Sequence, residues 1–120
     1  MHAYLLDTNV VIEHLCVGIL KTMPIDTLFY VSVITEAELF RLSGLSEEDV
    51  EIMDDFLSLC QKIDVTSSIA RHAAILGRTR KTKLPDLLIA ASALEQELIL
   101  ITKDAIDFKG IPGLKVQRHI

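Results

Sequence analysis

Four acidic residues lie beside predicted strand ends or within predicted helices: Asp7, Glu38, Asp86 and Asp104. Carboxylates that converge without basic partners repel one another unless a hard cation lies among them. Mg²⁺ and Mn²⁺ prefer oxygen ligands, and Mg²⁺ keeps several waters, so positions remain for a phosphate oxygen and an attacking water. A bound metal lowers the pKa of that water and stabilises charge on phosphorus. The pattern therefore predicts a Mg²⁺ or Mn²⁺ site for phosphodiester hydrolysis.

Three of these positions also have plain structural interpretations. Asp7 is a good helix N-cap, because Asp is among the best capping residues. Asp86 follows Pro85, and this pair is typical of a helix start in which the carboxylate complements the helix dipole. Asp104 and the nearby Asp107 could lie in a solvated turn. Only the convergence of the acids favours the metal site.

Helical periodicity indicates which face of its predicted helix Glu38 occupies. At about 100° per residue it projects into an apolar arc, between Ile34 and Leu42, whereas Glu36 falls outside that arc. A carboxylate on a buried face costs several kcal/mol if it is unpaired, on the order given for buried ions. The alternative to a metal is a salt bridge to Arg41.

The elements that must position these acids follow from alternating apolar segments and helix-start signals. Five segments predict strands: 3–6, 28–31, 63–65, 98–102 and, as a short edge strand, 114–117. Five positions predict helix starts: Asp7, Ser32, Ser46 with its capping box, Ser67 or Ser68, and Pro85. The alternation predicts an α/β fold with a parallel sheet of four or five strands and helices on both faces. Its binding crevice should lie beyond the carboxyl ends of the strands.

Composition sets broad limits. The 120 residues, half of them apolar, predict one domain over residues 1–120. A formal charge of −5 gives no long-range attraction for a polyanion, so RNA contact needs a local basic patch. Cys16 and Cys60 match no zinc spacing and predict buried thiols in a reducing compartment. With no membrane span or signal peptide in the pattern, we expect a cytoplasmic protein.

A basic run supplies such a patch. Four of the six residues from Arg78 to Lys83 are cationic, and Lys103 is next to Asp104. Such runs often form only the polar end of a helix. At the rim of an acidic pocket, however, they would bind backbone phosphates. We expect Arg80, Lys83 and Lys103 to do so.

Four segments together resemble a known family, the PIN domain: 5–12, 32–39, 84–91 and 101–108. Within that family the chain looks most like the VapC ribonuclease toxins of toxin-antitoxin pairs. The resemblance implies that Asp7, Glu38, Asp86 and Asp104 are metal-binding, and that Asn9 and Thr102 are polar residues beside them. It also implies a Mg²⁺- or Mn²⁺-dependent endoribonuclease, a homodimer, and a cognate VapB-like antitoxin whose tail enters the active-site groove.

Departures from the family pattern and rival functions remain open at this point. The last motif often has Asn where Asp104 stands, so the fourth acid is Asp104 or Asp107. One rival is a PIN scaffold that binds RNA or a partner without catalysis. Another is a Mg²⁺-binding phosphoacceptor receiver domain, although receivers need an adjacent acidic pair near the first strand, and the acids here are dispersed.

Overall fold

The computed structural model describes residues 3–118. Its strands are β1 (Ala3–Leu6), β2 (Leu28–Ser32), β3 (Gln61–Ile63), β4 (Ile99–Ile101) and β5 (Val116–Gln117). Its helices are α1 (Thr8–Val17), α2 (Val33–Phe40), α3 (Glu47–Ser58), α4 (Ser67–Gly77), α5 (Leu84–Gln96) and α6 (Ala105–Phe108), with a 3₁₀ helix at Ile19–Thr22. The predicted domain also includes residues 1, 2, 119 and 120, which lie outside the described residues.

The strands form one parallel sheet in the order β3-β2-β1-β4-β5. The chain runs outward from β1 to β3, then returns to place β4 on the other side of β1. Strand order therefore reverses beside β1, and the crevice of such a sheet lies beyond the carboxyl ends at that reversal. The predicted α/β class with a parallel sheet is confirmed, with five strands.

Side chains alternate between the two faces of the sheet, so each face has its own core. Leu5 and Leu100 are buried in one core, and Leu6 and Ile101 in the other. The first core is covered by α4 and α5, and the second by α1 and α3. Burial on both faces explains why the central strands are almost entirely apolar.

Helix α5 brings its first turn to the crevice because it packs closely on the sheet. Ala90, Ala91 and Ala93 are at most 1% exposed, and Ile89 is fully buried beside them. Small side chains allow a close approach between helix and strands. Pro85 stands in the first turn, as predicted, and Asp86 follows it.

Two local predictions were wrong by a few residues. The third strand was expected at 63–65, but it occupies Gln61–Ile63, where Tyr30 pairs with Gln61. Backbone pairing with β2 decides this boundary, and the exposed Gln61 and Lys62 carry no apolar signal. Helix α4 is capped by Thr66, whose side chain accepts from the Ile69 N–H at 3.1 Å, and the two serines expected to cap it lie inside the helix.

The cysteine prediction was half right. Cys60 is buried, and burial raises the pKa of its thiol to about 11. Cys16, expected to be buried, is exposed near the end of α1. No helix within residues 3–118 is both long and apolar enough to cross a membrane.

Candidate active site

Asp7 is fixed at the carboxyl end of β1. Its N–H donates to the Ile101 carbonyl at 3.0 Å, so the ladder between β1 and β4 continues to this residue. Its side chain caps α1 by accepting from the Thr8 N–H at 2.9 Å, and it accepts from the Thr102 hydroxyl at 2.7 Å. Burial raises the pKa of Asp7, while these two hydrogen bonds lower it. Asp7 therefore caps α1 as predicted, yet the residue is only 5% exposed and forms no ion pair with the cations of residues 3–118.

Thr102 connects the first acid to the last. Its hydroxyl donates to Asp7 and accepts from the Asp104 N–H at 3.0 Å. Thr102 is fully buried just beyond β4, so its rotamer is set by packing. One hydroxyl thus positions a carboxylate after β1 and the backbone after β4.

Glu38 projects from α2 toward the same crevice, where its Oε1 accepts from the Thr8 hydroxyl at 2.6 Å. Among residues 3–118 no ion pair joins it to Arg41. The predicted apolar arc was partly wrong, because the buried positions of α2 are Thr35 and Leu39. Glu38 is half-buried and lies beside Thr35, one helical turn farther along α2.

Asp104 and Asp107 have different surroundings. Asp104 is exposed, and its carboxylate accepts from the Asn9 amide at 3.2 Å. Asp107 lies in the first turn of α6 and lines a separate neighbouring cavity. The structure therefore places Asp104, with Asn9, among the acids of the crevice, and Asp107 outside it.

The pKa of Asp86 reflects the negative charges of the carboxylates around it. Its pKa is raised to about 6, first by burial and then by the charges of Asp7, Glu38, Asp107 and Asp104. A carboxyl group whose neighbours are acidic favours its neutral form unless a cation offsets the repulsion. The other three predicted acids therefore act electrostatically on Asp86, and so does Asp107.

These acids surround one cavity of about 220 Å³. It is lined by Asp7, Thr8, Asn9, Glu38, Lys83, Pro85, Asp86 and Asp104. Lys83 gives this cavity its basic lining residue. The four acids scattered over about a hundred residues of sequence therefore converge as expected.

The other predicted cations are placed differently. Lys103 forms an ion pair with Glu13 at 2.8 Å, and Arg80 donates to the carbonyls of Lys109 and Gly110. Neither of these two cations lines the acidic cavity. A role in binding phosphates remains a prediction for both.

The oxygen ligands of the cavity suit a hard cation, but they do not surround a metal position on all sides. Among residues 3–118 no three His, Cys, Asp or Glu side chains stand together as a ready cluster for a metal ion. Carboxylate and amide oxygens around a cavity with room for several waters nevertheless match the preference of Mg²⁺ for one or two carboxylates and several waters. The residues fit an ion held partly through water.

Sequence reasoning missed Thr8 and Thr35. The Thr8 hydroxyl lies 3.0 Å from that of Thr35 and donates to Glu38, so it links α1 to α2 at the cavity wall. A signal was present, because Thr35 precedes Glu38 by three residues on one helix face. The partner, 27 residues earlier in the chain, leaves no local pattern.

Comparison with known proteins agrees with this arrangement. The model of the PIN domain family matches residues 4–114. A toxin-antitoxin complex from Klebsiella pneumoniae contains a chain 29% identical to this one, with a TM-score of 0.75 and 98% and 99% of the two chains covered. VapBC-1 from nontypeable Haemophilus influenzae gives 25% identity and a TM-score of 0.77 over 96% of each chain. DNA-bound VapBC from Salmonella typhimurium gives 24% sequence identity and a TM-score of 0.77 over 98% of each chain. At this identity the likeness shows the fold alone.

The comparison with curated proteins gave no significant match. The resemblance to VapBC-type chains predicted from the sequence is confirmed by the solved structures. Because the family model spans most of the chain, the protein belongs to the PIN-domain family.

Proposed function

We propose that the protein is a Mg²⁺- or Mn²⁺-dependent endoribonuclease and the toxin of a VapBC-type pair. The observation that carries this proposal is the cavity itself, which is lined by four carboxylates and one lysine, and in which the buried Asp7 forms no ion pair with any residue of 3–118. Members of the PIN family are generally nucleases. The Klebsiella structure is described as a toxin-antitoxin complex, which supports an antitoxin partner here.

The chain's own groups have distinct tasks in this proposal. Asp7, held by Thr8 and Thr102, is the fixed ligand, and Glu38 and Asp86 complete the negative wall. Asp104 acts directly or through water. A divalent ion bound there would lower the pKa of a coordinated water and offset charge on phosphorus.

Lys83 is the basic residue that lines the cavity, three positions before Asp86 in the first turn of α5. Lys83 immediately precedes α5, is exposed, and forms no ion pair within the described part of the chain. A lysine ammonium binds phosphate oxygens as a point charge. We assign it to the scissile phosphate, with Asn9 and Thr102 orienting the acids.

The remaining parts of the proposal rest on the family resemblance. They are an RNA substrate, inhibition by a VapB-like antitoxin whose tail enters the cavity, a homodimer, and a cytoplasmic location. Light scattering of the purified protein would measure the oligomeric state, and a mass corresponding to a monomer at micromolar concentration would reject the dimer.

The decisive experiment is cleavage of single-stranded RNA by purified protein with Mn²⁺, with Mg²⁺ and with EDTA. Asp7→Asn should abolish cleavage while leaving the fold intact. Asp26→Asn is the matched control, because Asp26 is exposed before β2 at the opposite end of the sheet. The control should cleave like the wild type.

Three results would overturn the proposal. Undiminished cleavage by Asp7→Asn would reject the site. Absence of both cleavage and Mn²⁺ binding, measured by calorimetry on the wild type, would favour the non-catalytic scaffold instead. Stable phosphorylation by acetyl phosphate would point to the receiver-domain chemistry.

A further inference from the structure

A second cavity adjoins the acidic one. It has a volume of about 390 Å³ and is lined by Thr79, Arg80, Lys81, Thr82, Ile106 and Asp107. Thr82 of this cavity precedes Lys83 of the first, so the two are continuous along the loop between α4 and α5. We propose that this basic cavity binds an RNA backbone phosphate adjacent to the scissile one, with Lys81 as its cation, an inference that rests on the proposed function.

The charge of the second cavity is opposite to that of the first. Two cations and one carboxylate line it, whereas four carboxylates and one lysine line the acidic cavity. Lys81 is exposed, and no ion pair occupies it within the described part of the chain. The hydroxyl of Thr79 adds a hydrogen-bond donor of the kind that contacts phosphates.

The loop that carries Lys81 has no regular secondary structure, yet it is held at both sides of this residue. Arg80 donates to the carbonyls of Lys109 and Gly110, and the Thr82 hydroxyl donates to the Asp107 carbonyl at 3.3 Å. These bonds tie the loop to α6 and the turn after it. A cation held in this way loses less freedom when it binds a phosphate.

The guanidinium of Arg80 is committed to those carbonyls, which leaves Lys81 as the accessible charge. Ile106 stands at the same cavity and is 85% exposed, so it offers an apolar surface to a ribose or base. The combination of an accessible ammonium, the Thr79 hydroxyl and one apolar side chain suits a nucleotide unit of a strand that extends from the acidic cavity.

The test compares Lys81→Gln with Lys115→Gln, which makes the same charge change in another cavity, at the amino end of β4. Binding of a single-stranded RNA oligonucleotide is measured in EDTA at several salt concentrations. Loss of one phosphate contact should reduce the slope of log K against log salt by about 0.7 in Lys81→Gln alone. Lys81→Arg should restore the wild-type slope.

Steady-state cleavage gives a second measurement. For the oligonucleotide, Lys81→Gln should raise KM about tenfold with kcat unchanged, as expected when uniform substrate binding is lost. A dinucleotide that reaches only the acidic cavity should be cleaved equally by Lys81→Gln and the wild type.

The outcomes separate this inference from the proposed function. If the wild type cleaves RNA but Lys81→Gln and Lys115→Gln share the same slope and KM, the subsite is wrong and the nuclease stands. If the wild type cleaves nothing, the proposed nuclease function is wrong. The assignment of an adjacent phosphate is then wrong as well, even where the salt slope still shows that Lys81 contacts RNA.

Discussion

Asp7 and Asp104 follow β1 and β4, two strands that pair with each other, yet the two side chains differ in burial and in hydrogen bonding. Asp7 is buried, and both of its carboxylate oxygens accept hydrogen bonds. Asp104 is exposed, and one amide from Asn9 contacts its carboxylate. One side of the cavity is therefore rigid and the other adjustable, which is how a site can fix an ion and still admit a long substrate.

The largest effect is expected from Asp7→Asn, on activity and on stability in opposite directions. Cleavage should fall by at least about 10²-fold, the scale for removing one preorganised electrostatic group. Because burial raises the pKa of Asp7, its ionised form destabilises the metal-free fold near neutral pH. Asparagine keeps an oxygen for the Thr8 N–H, so Tm in EDTA should rise.

Thermal melts in EDTA and in Mn²⁺ check this prediction. Mn²⁺ should raise Tm of the wild type, since a ligand that binds only the folded state stabilises it, and should leave Asp7→Asn almost unchanged. A lower Tm for Asp7→Asn in EDTA would show that the carboxylate stabilises the fold and is not held there against electrostatic cost.

Thr102→Val tests whether the rigid side depends on its hydroxyl. The change leaves the buried Asp7 oxygen and the Asp104 N–H without their partner. Activity should fall about 10- to 100-fold, as for groups that orient metal ligands, and unfolding free energy by about 1–3 kcal/mol. Thr102→Ser, which retains the hydroxyl, should recover most of both; equal losses in the two variants would assign the effect to packing.

The variants Asp104→Asn and Asp107→Asn test which of these two residues is the fourth acid of the site, on its exposed side. Only Asp104 lines the acidic cavity, so its change should reduce cleavage by about tenfold, at the low end for groups that orient a metal site. Asp107→Asn should cost much less. Measuring kcat/KM at subsaturating Mn²⁺ gives the ranking, and the reverse order would move the fourth acid to Asp107.

The pH dependence should follow Asp86. Its pKa is raised from 3.8 to about 6, so the folded state binds its proton more tightly than the unfolded chain does. The stability that this provides is fully present below pH 3.8 and is lost as pH rises through about 6. Asp86→Asn should flatten the fall in stability across that window, measured by urea unfolding without metal, whereas Mn²⁺ affinity of the wild type should increase across it.

The sequence predicted correctly those features that depend on residues close together in the chain. The capping box at Ser46 and Asp49 is present as expected, because both partners lie within one turn. The boundaries of β3, the exposure of Cys16 and the inner face of α2 depend on distant packing, and there the sequence prediction was wrong. The acids converge as predicted, since strand ends meet at one edge of a parallel sheet, but the contact of Thr8 with Thr35 has no local signal.

The backbone of Asp7 has a consequence for how such an enzyme could be controlled. Its amide belongs to the ladder that joins the two central strands. Displacing the backbone of Asp7 would mean parting those strands, at a cost near that of unfolding the whole domain. An inhibitor of the proposed nuclease would therefore gain nothing by distorting this backbone and should act by blocking entry to the cavity.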